Sequence, residues 1–178
     1  KYKKKQKLSA LTLDVFNYIH NPWTHALKGK RILIVSPFTY SIKQKLDIRK
    51  EMYGVDLFPD CTFIFLKPPQ TQGVIRCKDF HLELQPFLND IELVKDDFDI
   101  ALCSCGGYGN IVVNHIYEMG KSAIYVGGVL QMYFGIYGMR WMRERKDIMN
   151  LYLNSHWSRP KEEERPDGFK NVEKSAYW

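Results

Sequence analysis

Apolar residues at Leu8, Leu11, Val15, Phe16 and Ile19 recur at three- and four-residue spacing, which predicts an amphipathic helix over residues 8–20, stopped by Asn21-Pro22-Trp23. The period then changes. Ile32-Leu33-Ile34-Val35 is a continuous run of branched side chains behind Lys30-Arg31, as a strand covered on both faces requires, and Ser36-Pro37-Phe38 ends it. Residues 41–53 predict a charged helix with Ile42, Leu46 and Ile48 or Met52 turned inward. Residues 61–66 predict a second buried strand closed by Pro68-Pro69. Residues 80–93 carry Phe80, Leu84, Phe87, Leu88 and Ile91 at helical spacing, with Pro86 weakening the helix.

Residues 99–103 predict a third strand, after which Gly106-Gly107-Tyr108-Gly109 turns the chain into a helix over residues 110–119. Gly120 ends that helix and residues 123–126 form a fourth strand. Strands alternating with helices at this spacing define an α/β protein: a three-layer, Rossmann-like, mostly parallel sheet with helices on both faces. Beyond Gly127-Gly128 the pattern predicts a short helix over residues 129–136 and a basic one over 138–153 that holds Arg140, Arg143, Arg145 and Lys146. The closing segment, with Trp157, Pro160, Pro166, Tyr177 and Trp178, is too aromatic for a linker. It is expected to fold back across the sheet. No repeat of solenoid length is present.

The chain has 178 residues, of which 45% are hydrophobic, 26% charged and 14% aromatic, the make-up of one globular domain. No uncharged apolar run approaches the roughly 20 residues of a membrane span and no signal peptide is evident, so a soluble, cytoplasmic protein is expected. The net charge is +6. Lys1, Lys3, Lys4, Lys5 and Lys7 account for most of it, so residues 1–7 read as a basic flexible tail and residues 8–178 as the folded domain. A nucleic-acid partner, which needs a basic folded face, is not expected. Because the chain begins at Lys1, it is expected to be part of a longer, multidomain polypeptide. The cysteines Cys61, Cys77, Cys103 and Cys105 include no Cys-x-x-Cys pair and no nearby His in ligand spacing, so they read as buried reduced thiols, and no metal site is expected.

Ligands of an open parallel sheet bind outside the carboxyl ends of the strands. Four segments converge there: residues 37–41, 67–72, 106–110 and 127–131. Within them Pro37, Phe38, Ser41, Gly106, Gly107, Tyr108, Gly109, Asn110, Gly127, Gly128 and Gln131 are candidate ligand-binding residues. The turn at 106–110 is the strongest, because glycine N–H groups at a helix start suit phosphate. Named phosphate motifs fail: Val112 stands where G-x-G-x-x-G needs its third glycine, and Gly120-Lys121-Ser122 leads into a strand with His115 at the first Walker position. Asp97-Phe98-Asp99 has a metal-binding spelling but lies at the wrong edge, and reads as a strand entry or cap. Arg140, Trp141 and Arg159 could hold a diphosphate. Glu173 is the first candidate general base and His156 the second.

Several strings together resemble one family. These are Asn21-Pro22-Trp23; Lys30 through Phe38 with Ser41-Ile42 and Gln44; Asp99-Ile100-Ala101-Leu102 followed by Cys105-Gly106-Gly107-Tyr108-Gly109; and Gly120 through Gly128 followed by Gln131, Phe134-Gly135-Ile136 and Arg140-Trp141. The ending, with Trp157, Arg159-Pro160, Arg165-Pro166 and Val172-Glu173 to Tyr177-Trp178, fits it too. The strings resemble proteins encoded in bacterial and large-virus surface-glycan loci, and the order of elements is similar to the GT-D class of glycosyltransferases. In that class an acidic motif follows the strand-helix-strand unit; here Leu130-Gln131-Met132 stands in its place without acids, which leaves divalent-metal dependence open. A multidomain chlorovirus protein that builds the capsid glycan is similar as well. The resemblance implies transfer of a sugar, L-rhamnose among the candidates, from a nucleoside-diphosphate donor such as a UDP-sugar to an oligosaccharide acceptor, with no permanently bound cofactor. The alternatives are an S-adenosylmethionine-dependent methyltransferase acting on sugars and a non-catalytic glycan-binding module.

Overall fold

The computed structural model describes residues 7, 9–17, 19–74 and 79–178. Lys1, Lys3, Lys4 and Lys5 of the expected tail, and Cys77, lie outside the described residues. Four parallel strands, β1 (Arg31–Val35), β2 (Thr62–Leu66), β3 (Ile100–Cys103) and β4 (Ser122–Tyr125), lie in the order β2-β1-β3-β4. The inner strands β1 and β3 carry the continuous apolar runs that burial on both faces selects. Their residues alternate between two cores. Ile32, Ile34 and Leu102 enter one, and Leu33, Val35, Ala101 and Cys103 the other.

Parallel neighbours need crossovers. β1 reaches β2 over the first face through α1 (Thr39–Lys43) and a 3-10 turn at Arg49–Met52. β2 reaches β3, and β3 reaches β4, over the second face through α2 (Phe80–Leu93) and α3 (Gly109–Glu118). The architecture is the expected Rossmann-like α/β sheet covered on both faces. Leu84, Phe87, Leu88 and Ile91 form the buried stripe of α2, and Val112 and Ile116 that of α3. Pro86 sits on the exposed side of α2, where the carbonyl that it leaves unpaired can meet water, so the helix continues through it.

Four expectations are corrected. The second strand, expected to be buried, is an edge strand with partly covered side chains. The helix expected over residues 8–20 is two 3-10 turns, Ala10–Leu13 and Val15–Asn17. Ser9 Oγ accepts from Leu11 N at 3.3 Å and Asp14 Oδ1 from Phe16 N at 3.1 Å, taking up amides near the start of each turn. Residues 41–53 likewise hold only the last three residues of α1 and the 3-10 turn. Between and after them Arg49 donates to Leu46 O at 3.0 Å and clamps both oxygens of Asp56 at 2.9 Å, closing the chain on itself. The basic helix over residues 138–153 is broken at Arg145 into α4 (Met139–Glu144) and α5 (Lys146–Tyr152), and the Arg145 guanidinium reaches Asp14 at 3.2 Å.

The aromatic ending folds back as the sequence suggests. Trp157 Nε1 donates to Met52 O at 3.2 Å, and Trp178, 1% exposed, packs edge-on against Phe38 with ring centroids 6.0 Å apart. No described helix is long and apolar enough to cross a membrane.

Candidate functional site

The chain leaves β1 toward β2 on one side and leaves β3 toward β4 on the other, so the loops after β1 and β3 part at the carboxyl edge and open a crevice between them. The sheet ladder runs one residue past β1, β3 and β4 before the loops diverge. Ser36 N donates to Leu66 O at 3.2 Å, Ser104 N to Val35 O at 2.7 Å, and Val126 N to Cys103 O at 2.9 Å. The result is a cavity of about 330 Å³. It brings together Pro37, Phe38, Gly106, Gly107, Tyr108, Gly128 and Glu173 of the residues singled out from the sequence.

Hydrogen bonds join the loops that line the crevice, one of them across it. Thr71 Oγ1 and Tyr108 OH share a hydrogen bond of 2.9 Å, and Tyr125 OH donates to Gly106 O at 3.0 Å. The glycines have distinct reasons to be glycine. A Cβ on Gly109 would lie 2.2 Å from the Tyr125 ring, and one on Gly128 would lie 2.4 Å from the Tyr177 ring, so both admit an aromatic wall. Gly106 turns through φ +52°, where side chains are disfavoured. Gly107 has neither constraint and faces open space.

Glu173 supplies the only side-chain carboxylate among the described lining residues, and no Lys or Arg side chain is among them. Its Oε2 accepts from Arg140 Nη2, whose Nη1 donates to Tyr177 OH at 3.1 Å while the guanidinium lies 4.9 Å from the Tyr177 ring centre. Glu173, Lys174 and Ser175 take φ of 46°, 54° and 62°, three successive non-glycine residues in the left-handed region. Each such residue costs about 1–2 kcal/mol. The Arg140–Glu173 pair, with side chains 37% and 55% exposed, returns about 0–1 kcal/mol. Strain therefore outweighs the ion pair, and the turn persists because Ala176 and Trp178 on its far side are buried. Cys105, also at the wall, is a thiol that burial pushes up to about 12.

The remaining sequence candidates lie elsewhere. Ser41 is a buried residue of α1 and donates its hydroxyl to Glu164 Oε2. Glu164, 5% exposed, also accepts from Tyr40 N at 2.7 Å and caps α1. Gln131 is a buried clamp, donating from Nε2 to Ile136 O and Tyr177 O at 3.2 Å each. Trp141 packs edge-on behind Tyr177, and Arg159 donates to the main-chain oxygen of Trp178 and lies 3.1 Å from Met139 Sδ. Gly127 and the exposed Asn110 are outside the lining, as is His156, whose carbonyl accepts from Lys45 Nζ. Asp99 braces the opposite edge through Arg31, the strand-entry reading of the Asp97-Phe98-Asp99 string. Among the described residues no three His, Cys, Asp or Glu side chains converge on a common point that could hold a metal ion. Sequence reasoning missed Gln70, Thr71, Gln72, Ser104 and Tyr125 as individual lining residues; the segment 67–72 was visible as a loop at this edge, but nothing in its composition marked which side chains face inward.

The fold and site define a Rossmann-like parallel α/β protein with a carboxyl-edge crevice. Comparison of the chain with protein-family models, with curated proteins and with solved structures found no match in any of the three.

Proposed function

We propose that the protein is a glycosyltransferase that moves a sugar, with L-rhamnose a candidate, from a nucleoside-diphosphate donor, UDP-linked by preference, to a hydroxyl of an oligosaccharide acceptor in surface or capsid glycan assembly. The observation that carries this reading is the switch-point crevice, in which the exposed Gly106-Gly107 turn opening α3 and the Glu173 carboxylate share one cavity. In the reaction the acceptor oxygen bonds to the anomeric carbon as that carbon's bond to the phosphate oxygen breaks. The acceptor proton passes to Glu173, and the electron pair of the broken bond leaves with the nucleoside diphosphate. Main-chain N–H groups at the start of α3, with the helix dipole behind them, offset the charge that develops there. Tyr108 and Tyr177 line the same cavity and supply aromatic surface for the sugar or base.

His156 lies outside the crevice, so the base role rests on Glu173. The absence of Lys and Arg among the described lining residues favours a second reading, a glycan-binding module without turnover. A thermal-shift screen against UDP, GDP, CMP, S-adenosylmethionine and NAD, each with and without manganese or magnesium, separates them. A nucleotide at a hundredfold excess over its dissociation constant stabilises the folded state by about 2.7 kcal/mol, a rise in Tm of about 5–10 °C for a domain of this size. A selective response to one nucleoside diphosphate is expected; silence toward all of them, with binding of free oligosaccharide, would leave the binding module.

A further inference from the structure

Three consecutive left-handed residues at the rim of a crevice are an expensive way to turn a chain, and strain of this kind persists where surrounding contacts over-determine it. Besides the buried Ala176 and Trp178 and the bond from Gln131 to Tyr177 O, the contacts come from α4, where Arg143 Nη2 donates to Glu173 O at 3.4 Å. Met139 N lies within 3.3 Å of Ser175 O, Arg140 N donates to Ala176 O at 3.0 Å, and a Cβ on Gly138 would sit 2.4 Å from Ala176 O. Arg140 adds its side chain, with one nitrogen on Tyr177 OH and the other on Glu173 Oε2. The turn and the arginine together deliver one product, a carboxylate at the crevice wall with Oε2 taken and Oε1 without a partner among the described residues.

We propose that the left-handed turn at residues 173–175 is a mount that holds the Glu173 carboxylate toward adjacent hydroxyls of a neutral ring bound in the crevice, with Arg140 as its positioning residue. The inference rests on the reading of the carboxyl-edge crevice as the site of a sugar-handling protein. A carboxylate accepts and cannot donate, so it selects hydroxyl or amine hydrogens. An anionic group has only acceptors to set against Oε1, and no lysine or arginine among the described lining residues bridges the two. A cationic one is not called for, because Arg140 already neutralises Glu173. Hydroxyls on a ring remain, and Tyr108 and Tyr177 add aromatic surface to the same cavity. Arg140 acts on the ligand through Glu173, not by contact.

The test is ligand-observed NMR titration with methyl α-D-glucopyranoside, methyl α-L-rhamnopyranoside and UDP-glucose, on the wild type, Glu173→Gln, Arg140→Gln, Arg140→Lys and the Glu173→Gln/Arg140→Gln double variant. Glu173→Gln is expected to weaken binding of at least one probe by tenfold or more. Arg140→Gln should weaken it comparably, add nothing in the double variant, and be partly rescued by Arg140→Lys, a pattern that loss of packing alone does not produce. Glu173→Gly, which removes both strain and carboxylate, is expected to raise Tm by about 2–4 °C while losing binding, so a folding defect cannot mimic the result. Unchanged binding in Glu173→Gln, additive losses, a fall in Tm for Glu173→Gly, or silence of all three probes overturns the proposal. UDP-glucose binding that ignores Glu173 leaves the transferase reading standing without it. Methyl-glycoside binding that needs Glu173, with UDP-glucose no tighter, keeps the proposal and sinks the transferase.

Discussion

Gly107 is the turn glycine for which neither torsion nor packing accounts, since its φ is ordinary and a Cβ there would meet nothing within 4 Å. A glycine kept free of internal demands on the wall of a crevice points to close approach by a ligand. Gly107→Ala is therefore expected to leave stability unchanged, or raise it by up to about 1 kcal/mol, while lowering nucleotide or sugar affinity. Gly109→Ala should do the opposite, destabilising by about 1–3 kcal/mol because its methyl would overlap the Tyr125 ring. Thermal melts with and without ligand distinguish the pair, and equal loss of stability in both would remove the argument. Glu164 is the counterpart on the structural side. Its carboxylate satisfies the amides of Tyr40 and Ser41 and the Ser41 hydroxyl in the interior, so Glu164→Ala should cost about 2–4 kcal/mol in urea unfolding, and Glu164→Gln less. In the sequence it is one of three successive glutamates beside Lys161 and Arg165, indistinguishable from a solvated charge run. Only the return of this segment over α1 separates it from Glu162 and Glu163, which stay exposed.

At the level of elements, the parts that the sequence pattern located to within a residue or two are those whose stability is local or periodic. The inner strands β1 and β3, the edge strand β4 and helices α2 and α3 carry runs or stripes that admit one reading. The first-face connections were not legible, because side chains of Ser9, Asp14 and Arg49 bond to nearby main chain and Arg145 reaches across to Asp14, breaking helical patterns that spacing alone favours. The amino edge of the sheet shows another such bond put to use. Asp99 Oδ2 accepts from Arg31 N and Oδ1 from Arg31 Nη2, both at 2.9 Å, tying the entries of β1 and β3. The hydrogen bonds from Arg31 hold the Asp99 carboxyl down to about 2, against an ordinary 3.8. A carboxyl depressed on folding contributes stability that is complete above its unfolded value and is lost as pH falls through the folded one. Denaturant unfolding between pH 5 and pH 2 should thus show an acid limb that Asp99→Asn flattens. An unchanged limb would mean that other carboxyls set it.

For the whole molecule, the sheet separates two cores, and the ending of the chain completes only the first. Trp178 joins Phe38, Ile42 and Met132 there, and the same ring stands at the back wall of the crevice. Folding stability and the shape of the site are consequently linked in this region, because Phe38, which lines the crevice after β1, packs edge-on against Trp178. Trp178→Ala should destabilise the protein by about 3–5 kcal/mol in equilibrium unfolding and weaken ligand binding beyond that, because the crevice loses its wall. Trp178→Phe is the sharper experiment. Trp178 Nε1 is buried without a partner among the described residues, so the indole N–H is a desolvated donor that contributes nothing to offset its burial. Phenylalanine discards that donor while keeping most of the ring, and the two effects oppose. The expected loss is under about 1.5 kcal/mol with binding retained. If phenylalanine is as damaging as alanine, the N–H has a partner in solution, and the crevice wall is held by that hydrogen bond as well as by the packing of the ring.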